Sequence, residues 1–213
     1  MRVESIYYSL NGEGVHALIP SVIVRLQGCN LKCTWCDTAY SLDPTKGTEM
    51  SVESVLEAVS AVCAHPRWVL LTGGEPLLQE LELLKLVKEL KRRGIKIEVE
   101  TNGSFEAPIW WKLVDSWSAD IKCPSSGMYG RSLLSWLDTR ERDQVKFVVA
   151  NEEDLECVRS ILVSHYIAPT VLISPVYPWN NEWLRTCAEF CKTYDTRMSL
   201  QQHKIIYGKE KNV

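Results

Sequence analysis

The chain has 213 residues, of which 46% are hydrophobic and 24% charged, with a net charge of −3. That is ordinary globular composition, long enough for one domain to bury a real core without disulfide staples. The slight acidity argues against a broad nucleic-acid or anionic-membrane surface, and no run approaches the roughly 20 apolar residues of a membrane span.

Met1-Arg2-Val3-Glu4-Ser5 opens no apolar leader, so a cytoplasmic location is expected, where thiols stay reduced. The eight cysteines, at positions 29, 33, 36, 63, 123, 157, 187 and 191, are then read as metal-binding, catalytic or buried rather than as a disulfide framework. Residues 1–20 contain Leu10-Asn11-Gly12-Glu13-Gly14. Two glycines around a glutamate let the backbone approach a ligand, or simply make a hairpin connection.

Residues 21–27 read as a strand, with Val22, Val24 and Leu26 on one face and Ile23, Arg25 and Gln27 on the other. Arg25 is either solvated on an edge strand or aimed into a cavity to meet a carboxylate, which its fork geometry suits. The strand runs into Cys29-Asn30-Leu31-Lys32-Cys33-Thr34-Trp35-Cys36. Structural zinc and ordinary 4Fe–4S centres want four ligands. Three cysteines at C-x3-C-x2-C spacing suggest a centre with one open position.

A polar loop over 43–48 leads to a helix capped by Ser51, with Val52, Val55, Leu56, Val59, Val62 and Cys63 on its apolar face. An apolar run at 67–71 ends at Thr72-Gly73-Gly74-Glu75-Pro76. The next helix carries Leu81, Leu84, Val87 and Leu90 as its stripe and stops at Gly94. Residues 95–101 alternate as a strand ending at Asn102-Gly103. The spacing then predicts a short helix at 109–114, a strand at 117–122, a helix at 131–137 and a strand at 144–150. A helix at 152–166, a strand at 170–174, a helix at 181–194 and an extended segment at 198–207 follow, with a mobile tail over 209–213.

Alternating strands and helices imply a parallel sheet with helices outside. The chain is short for an eight-fold β/α barrel of roughly 250 residues, so an abridged, partial barrel of about six strands in one domain is expected. Ligands of such sheets bind at the strand carboxyl ends, where the unusual residues fall.

An open iron held by Cys29, Cys33 and Cys36 can chelate an amine and a carboxylate, and Gly73-Gly74 lets backbone come close to the same moiety. C-x3-C-x2-C followed by Gly-Gly-Glu-Pro resembles the radical S-adenosylmethionine superfamily. Within it, the chain resembles the 7-carboxy-7-deazaguanine synthase family over nearly its whole length. The markers are Leu10–Gly14 (with Asn11 where the family usually has Gln), Arg25, Cys36-Asp37-Thr38, Thr72–Pro76, Glu100–Gly103, Lys122–Gly127 and Leu200-Gln201-Gln202-His203-Lys204.

The resemblance implies conversion of 6-carboxy-5,6,7,8-tetrahydropterin to 7-carboxy-7-deazaguanine with loss of ammonia, in the biosynthesis of the 7-deazapurine nucleosides of tRNA. A reduced 4Fe–4S cluster cleaves S-adenosylmethionine to a radical that takes a hydrogen from C6 of the pterin and later returns it. By the same resemblance, Leu10, Asn11, Gly12, Glu13, Arg25 and Thr72 bind substrate. Trp35, Cys36, Asp37, Gly74, Asp120, Ile121, Lys122 and Ser174 line S-adenosylmethionine, and Thr38 ligates Mg2+. Asp120-Ile121-Lys122 departs from the family's usual Ser-Pro-Lys, and Ser174-Pro175 from a Gln-Pro. The C-terminal segment, 196–213, places His203 and Lys204 near a substrate lid. A homodimer and an electron-donor protein such as flavodoxin or ferredoxin are implied, with no direct nucleic-acid or membrane partner.

Two other readings compete: a glycyl-radical activase acting on a protein, and a non-catalytic zinc or cluster module. Cys187 and Cys191 either ligate a second cluster or are core thiols. Cys123 and Cys157 are expected to be structural, and His16, His65 and His165 to sit on the surface or in loops. Trp110-Trp111 is either core or partner surface.

Overall fold

A computed structural model describes residues 1–208, 210 and 212. The expectation of a mobile tail falls partly on Lys209, Lys211 and Val213, which lie outside the described residues.

The strands are β1 (Arg2–Leu10), β2 (Pro20–Leu26), β3 (Thr48–Glu49), β4 (Trp68–Gly73), β5 (Lys96–Thr101), β6 (Ser116–Ile121), β7 (Gln144–Val149), β8 (Thr170–Pro175) and β9 (Arg197–Met198). They form one sheet in the order β3-β1-β2-β4-β5-β6-β7-β8-β9. From β2 to β9 every pairing is parallel, whereas β1 runs antiparallel to β2 and β3. Six full-length parallel strands, β2 and β4 to β8, give the abridged barrel expected. The sheet stays open, because β3 and β9 end it without pairing to each other. No strand is expected at residues 2–10, but β1 pairs with β2 over most of its length, so the 11–14 turn lies in the hairpin connection that its glycines also allow.

The parallel strands bury both faces, as β2 shows with Val22, Val24 and Leu26 fully buried beside Ile23. Helices α1 (Val52–Val62), α2 (Glu80–Arg92), α3 (Glu152–Ser164) and α4 (Asn181–Tyr194) cover the outer face. Each start or stop has a local cause. Ser51, Asn151 and Asn180 accept the N–H of Ser54, Asp154 and Trp183 as N-caps. Gly94, at φ +73°, closes α2 with Gly94 N–H to Lys91 O and Ile95 N–H to Leu90 O, the paired bonds of a left-handed helix end.

The stripe of α2 is rotated from the expected one. Leu83, Leu86, Val87 and Leu90 are buried while Leu81 is 72% exposed. The cause is the pitch of the helix: at about 100° per residue Leu81 stands roughly opposite Leu90, whereas Leu83, Leu86, Val87 and Leu90 follow the i, i+3, i+4, i+7 spacing of one face.

The helices expected at 109–114 and 131–137 are only 3-10 turns, Trp111–Leu113 and Leu134–Asp138. Indole rings fill the missing helical layer. Trp117 and Trp136 are buried with ring centroids 5.4 Å apart, and Trp110 lies 5.8 Å from Trp117. Their N–H groups are satisfied on backbone or side chain: Trp117 on Trp111 O, Trp136 on Phe105 O and Trp110 on Glu80. Aromatic area thus replaces helix area between β5 and β7.

The extended segment expected at 198–207 instead holds β9 and helix α5 (Gln202–Ile206). Its apolar Ile205 and Ile206 point outward, and its polar side chains meet the rest of the protein. Cys187 and Cys191 are buried in the core under α4, Cys123 is buried, and Cys63 and Cys157 are half-buried. His65 and His165 are exposed. His16 sits in the loop between β1 and β2, as expected, but half-buried: its ring packs 4.4 Å from Trp68 and its Nδ1 is paired with buried Glu98.

The rotation of α2 is testable by urea denaturation. Leu83→Ala should cost about 2–5 kcal/mol of unfolding free energy, and Leu81→Ala less than about 0.5 kcal/mol. Equal costs would contradict the observed face.

Candidate active site

A cavity of about 470 Å³ opens at the carboxyl edge of the parallel strands. It begins at the loop after β2. Cys29, Cys33 and Cys36 are free thiols, and all three line its wall. Cys29 Sγ accepts the Leu31 N–H at 3.4 Å and the Asn102 amide at 3.6 Å, and Cys36 Sγ lies 3.7 Å from Thr38 Oγ1. Burial pushes the Cys29 and Cys33 thiols up, against the N–H donors at Cys29 and the Lys122 charge at Cys33. The loop is held at both ends: Gly28 N–H bonds Ser41 O, Thr34 N–H bonds Ser126 O, and the Trp35 indole bonds Ser125 Oγ. Among the described residues no three His, Cys, Asp or Glu side chains already converge on one point. The thiols are close enough to couple electrostatically. Three soft thiols with N–H donors on sulfur suit an iron–sulfur cluster.

The end of β4 lies against this loop. Gly74 N–H bonds Leu26 O and Glu75 N–H bonds Gly28 O. A Cβ on Gly73 would collide with the Leu26 carbonyl, and one on Gly74 with the carbonyls of Gly28 and Ser41. Gly73, at φ +140°, adds a conformation that side chains disfavour. The glycine pair is therefore what lets two backbones touch under the thiols.

Glu75 completes the joint. Its fully buried carboxylate accepts the Leu77 N–H at 2.9 Å, the Asn102 N–H at 2.6 Å and the Thr101 hydroxyl at 2.9 Å. Burial raises its pKa to about 7 in spite of those donors. Asn102 in turn bonds Asn30 Oδ1 at 2.9 Å. One carboxylate thus ties the ends of β4 and β5 to the cysteine loop.

The opposite wall is charged. Arg25 Nη2 donates to Tyr7 Oη at 3.2 Å, while its Nε is buried with no hydrogen-bond partner. Thr72 donates to Glu100 at 2.6 Å, and burial raises Glu100 to about 7 against the pull of Lys146. Lys146 bridges Glu13 at 3.0 Å and Asp120 at 3.3 Å, and Lys122 pairs with Asp120 at 2.6 Å below the Trp35 ring. Burial opposes ionisation of Asp120, but Lys122 and Lys146 hold its pKa low. Both lysines are held above their ordinary value by these carboxylates.

α5 and the 11–14 turn form the roof. Gln202 N–H bonds Gly12 O at 2.7 Å, and Gly14 N–H bonds Ser199 Oγ at 3.0 Å. The His203 ring occupies the space that a Gly12 Cβ would need. Asp37 takes Lys204 and Gln201, each at 2.8 Å. Burial works against its charge, yet Lys204 draws its pKa down to about 2.

Seventeen site positions are expected from the sequence, and all but Ile121 and Ser174 line this cavity. Those two are buried, Ile121 in the core and Ser174 on β8. Both backbone groups of Asn11 are already paired, with Ile19 and Leu18. Sequence reasoning assigned no role to Tyr7, Glu75, Glu100, Asn102 or Lys146. Lys146 carried the same signal as Arg25, a lone cation inside an apolar strand, and was legible by that rule.

A family model described as the radical SAM superfamily matches residues 23–116. The cysteine loop, glycine pair and open parallel sheet define a radical S-adenosylmethionine enzyme, a class that uses a 4Fe–4S cluster and S-adenosylmethionine. A 7-carboxy-7-deazaguanine synthase of Methanospirillum hungatei is 36% identical, the match covering 97% of this chain and 85% of the relative. One of Leptospira interrogans is 34% identical over 99% and 97%. The chain belongs to the 7-carboxy-7-deazaguanine synthase family. The crystal structure of QueE from Escherichia coli shares the fold, with a TM-score of 0.74 at 24% identity over 95% of this chain and 94% of that one.

Glu75 and Glu100 keep protons in the fold that the unfolded chain, with the ordinary glutamate value of 4.5, has released. Their contribution to stability is complete below about pH 4.5 and is lost as pH rises through about 7. Urea denaturation of the cluster-free protein should show the wild type losing stability between about pH 5 and pH 8. Glu75→Gln should flatten that loss by on the order of 1–3 kcal/mol. An unchanged slope would show that Glu75 is ionised throughout.

Proposed function

We propose that this chain converts 6-carboxy-5,6,7,8-tetrahydropterin to 7-carboxy-7-deazaguanine with release of ammonia. The observation that carries the reading is Arg25, a half-buried cation whose buried Nε has no hydrogen-bond partner, in the wall of the cavity that also holds the three thiols. A guanidinium so placed suits a small carboxylate ligand. The cavity, roofed by α5, also suits a small molecule better than the protein segment that a glycyl-radical activase would take.

Bound at Cys29, Cys33 and Cys36, a reduced 4Fe–4S cluster with S-adenosylmethionine supplies a radical able to abstract hydrogen from carbon. The chain's own residues then do the binding and orienting. Arg25 pairs the substrate carboxylate, and Tyr7 fixes the guanidinium. Leu10, Asn11, Gly12 and Glu13 bound the pterin's polar edge, with Glu13 steadied by Lys146. Thr72 touches substrate from the other side while donating to Glu100. Glu100, titrating at about 7, is suited to take or give a proton on a pterin nitrogen near neutrality. Trp35, Cys36, Asp37, Gly74, Asp120 and Lys122 flank S-adenosylmethionine, with Ile121 and Ser174 behind them. Thr38 offers Mg2+ a hard oxygen, which the substrate carboxylate and water would complete.

In the same reading residues 1–213 form a single radical-SAM core domain that acts as a cytoplasmic homodimer. An electron-donor protein such as flavodoxin or ferredoxin supplies the reducing electron. The product enters 7-deazapurine nucleoside biosynthesis.

The test is anaerobic reconstitution followed by assay with the carboxytetrahydropterin, Mg2+ and reductant. Wild type should form ammonia and 7-carboxy-7-deazaguanine, and neither product would sink the reading. Arg25→Ala should lower kcat/KM roughly 100-fold, the scale of a lost charged hydrogen bond. Its cluster absorbance should stay intact. Loss of that absorbance would make Arg25 structural.

A further inference from the structure

We propose that Glu98 is a positioning residue that fastens the substrate turn from beneath, with His16 and Gln144 as its partners. The inference rests on the reading that residues 10–13 bound the substrate. Glu98 lies on β5, its side chain 1% exposed, and it is not among the residues lining the cavity.

Three side chains converge on its carboxylate. Asn11 Nδ2 reaches Oε1 at 3.5 Å, Gln144 Nε2 reaches Oε1 at 3.1 Å, and His16 Nδ1 is paired with Oε2. Gln144 also turns its Oε1 to the Val15 N–H at 2.8 Å. Residues 11, 15 and 16 of one turn are therefore tied to one buried carboxylate, directly or through Gln144. The His16 ring is further braced on Trp68. Asn11 Oδ1 accepts the Glu13 N–H at 3.3 Å, so the Asn11 side chain works within this fastening.

A carboxylate buried this far from water is costly unless its partners are in place. Three partners from β1's end, the turn and β7 meet that need, and together they fix where Gly12 and Glu13 sit in the cavity wall. The turn otherwise rests on short hairpin bonds and on the roof. Glu98 touches no ligand site itself and acts through the turn.

The experiment uses the full reconstituted chain and reads three quantities. These are the pterin KM, pterin-independent formation of 5′-deoxyadenosine, and amide hydrogen exchange over residues 11–16. Glu98→Ala should raise KM roughly tenfold, the effect expected for a lost buried partner. Pterin-independent cleavage should stay within about twofold, and exchange should quicken over 11–16 but not over 29–36. Glu98→Gln, which keeps the acceptor for Gln144, should recover most of the KM. Wild-type KM in a folded Glu98→Ala protein would overturn the proposal, as would a fall in pterin-independent cleavage equal to the loss with pterin. If Glu98→Ala does not fold, His16→Ala decides: a KM raised a few-fold, by about 3-fold, supports the fastening, and an unchanged KM overturns it. If the wild type makes no product, the functional reading fails separately, and the exchange pattern alone judges the fastening.

Discussion

Glu75 is the point on which the site depends. Three loops from separate strands must meet at one edge of the sheet, and each brings unpaired backbone N–H groups. A fully buried carboxylate gathers donors from two of them and pins both against the third. The glycines before it remove the side chains that would hold the backbones apart. Without close approach the carboxylate has nothing to clamp, and without the clamp the close approach leaves polar groups unsatisfied in a dry place. The cysteine loop sits on this joint, so its shape is set before any cluster arrives.

On the far wall the logic is electrostatic. Cations and carboxylates alternate from Lys122 through Asp120 and Lys146 to Glu13. Such a chain keeps its lysines charged in spite of burial, because each sits beside an acid. Arg25 stands outside that chain: its hydrogen bond goes to Tyr7, Glu100 acts on it only through its field, and its Nε remains unspent. A new anion therefore meets Arg25 and not a lysine already committed. The roof over this wall is held by the bonds of Asp37 with Gln201 and Lys204 and by those joining Gly12 and Gly14 to Gln202 and Ser199.

Much of the fold was legible from period and punctuation. The long strands of the parallel sheet and the caps at Ser51 and Gly94 follow from local chemistry. What was missed has physical causes. The stripe of α2 was misphased because Leu81, Leu84, Val87 and Leu90 are spaced strictly by three, a series that winds around an α-helix, whereas the buried face follows the i, i+3, i+4, i+7 spacing. Two crossovers lost their helices because tryptophan packing, which no periodicity reports, supplies the area instead. β1 was overlooked because its mixed polar sequence is ordered by pairing with β2 rather than by its own pattern. Within the site, the cysteines, glycines and Arg25 stood out because each is unusual for its place. Glu75, Glu98 and His16 did not, because their roles come from partners far away in sequence, which only the fold brings together.

The central claim is that one cavity holds a small carboxylated pterin beside the thiol loop. A crystal structure of the reconstituted protein with the carboxytetrahydropterin and S-adenosylmethionine bound tests it most directly. The account predicts the pterin carboxylate on Arg25 and the ring edge against residues 10–13, with S-adenosylmethionine beside Gly74. A pterin bound elsewhere, or an Arg25 that keeps only Tyr7 as its partner, would contradict it.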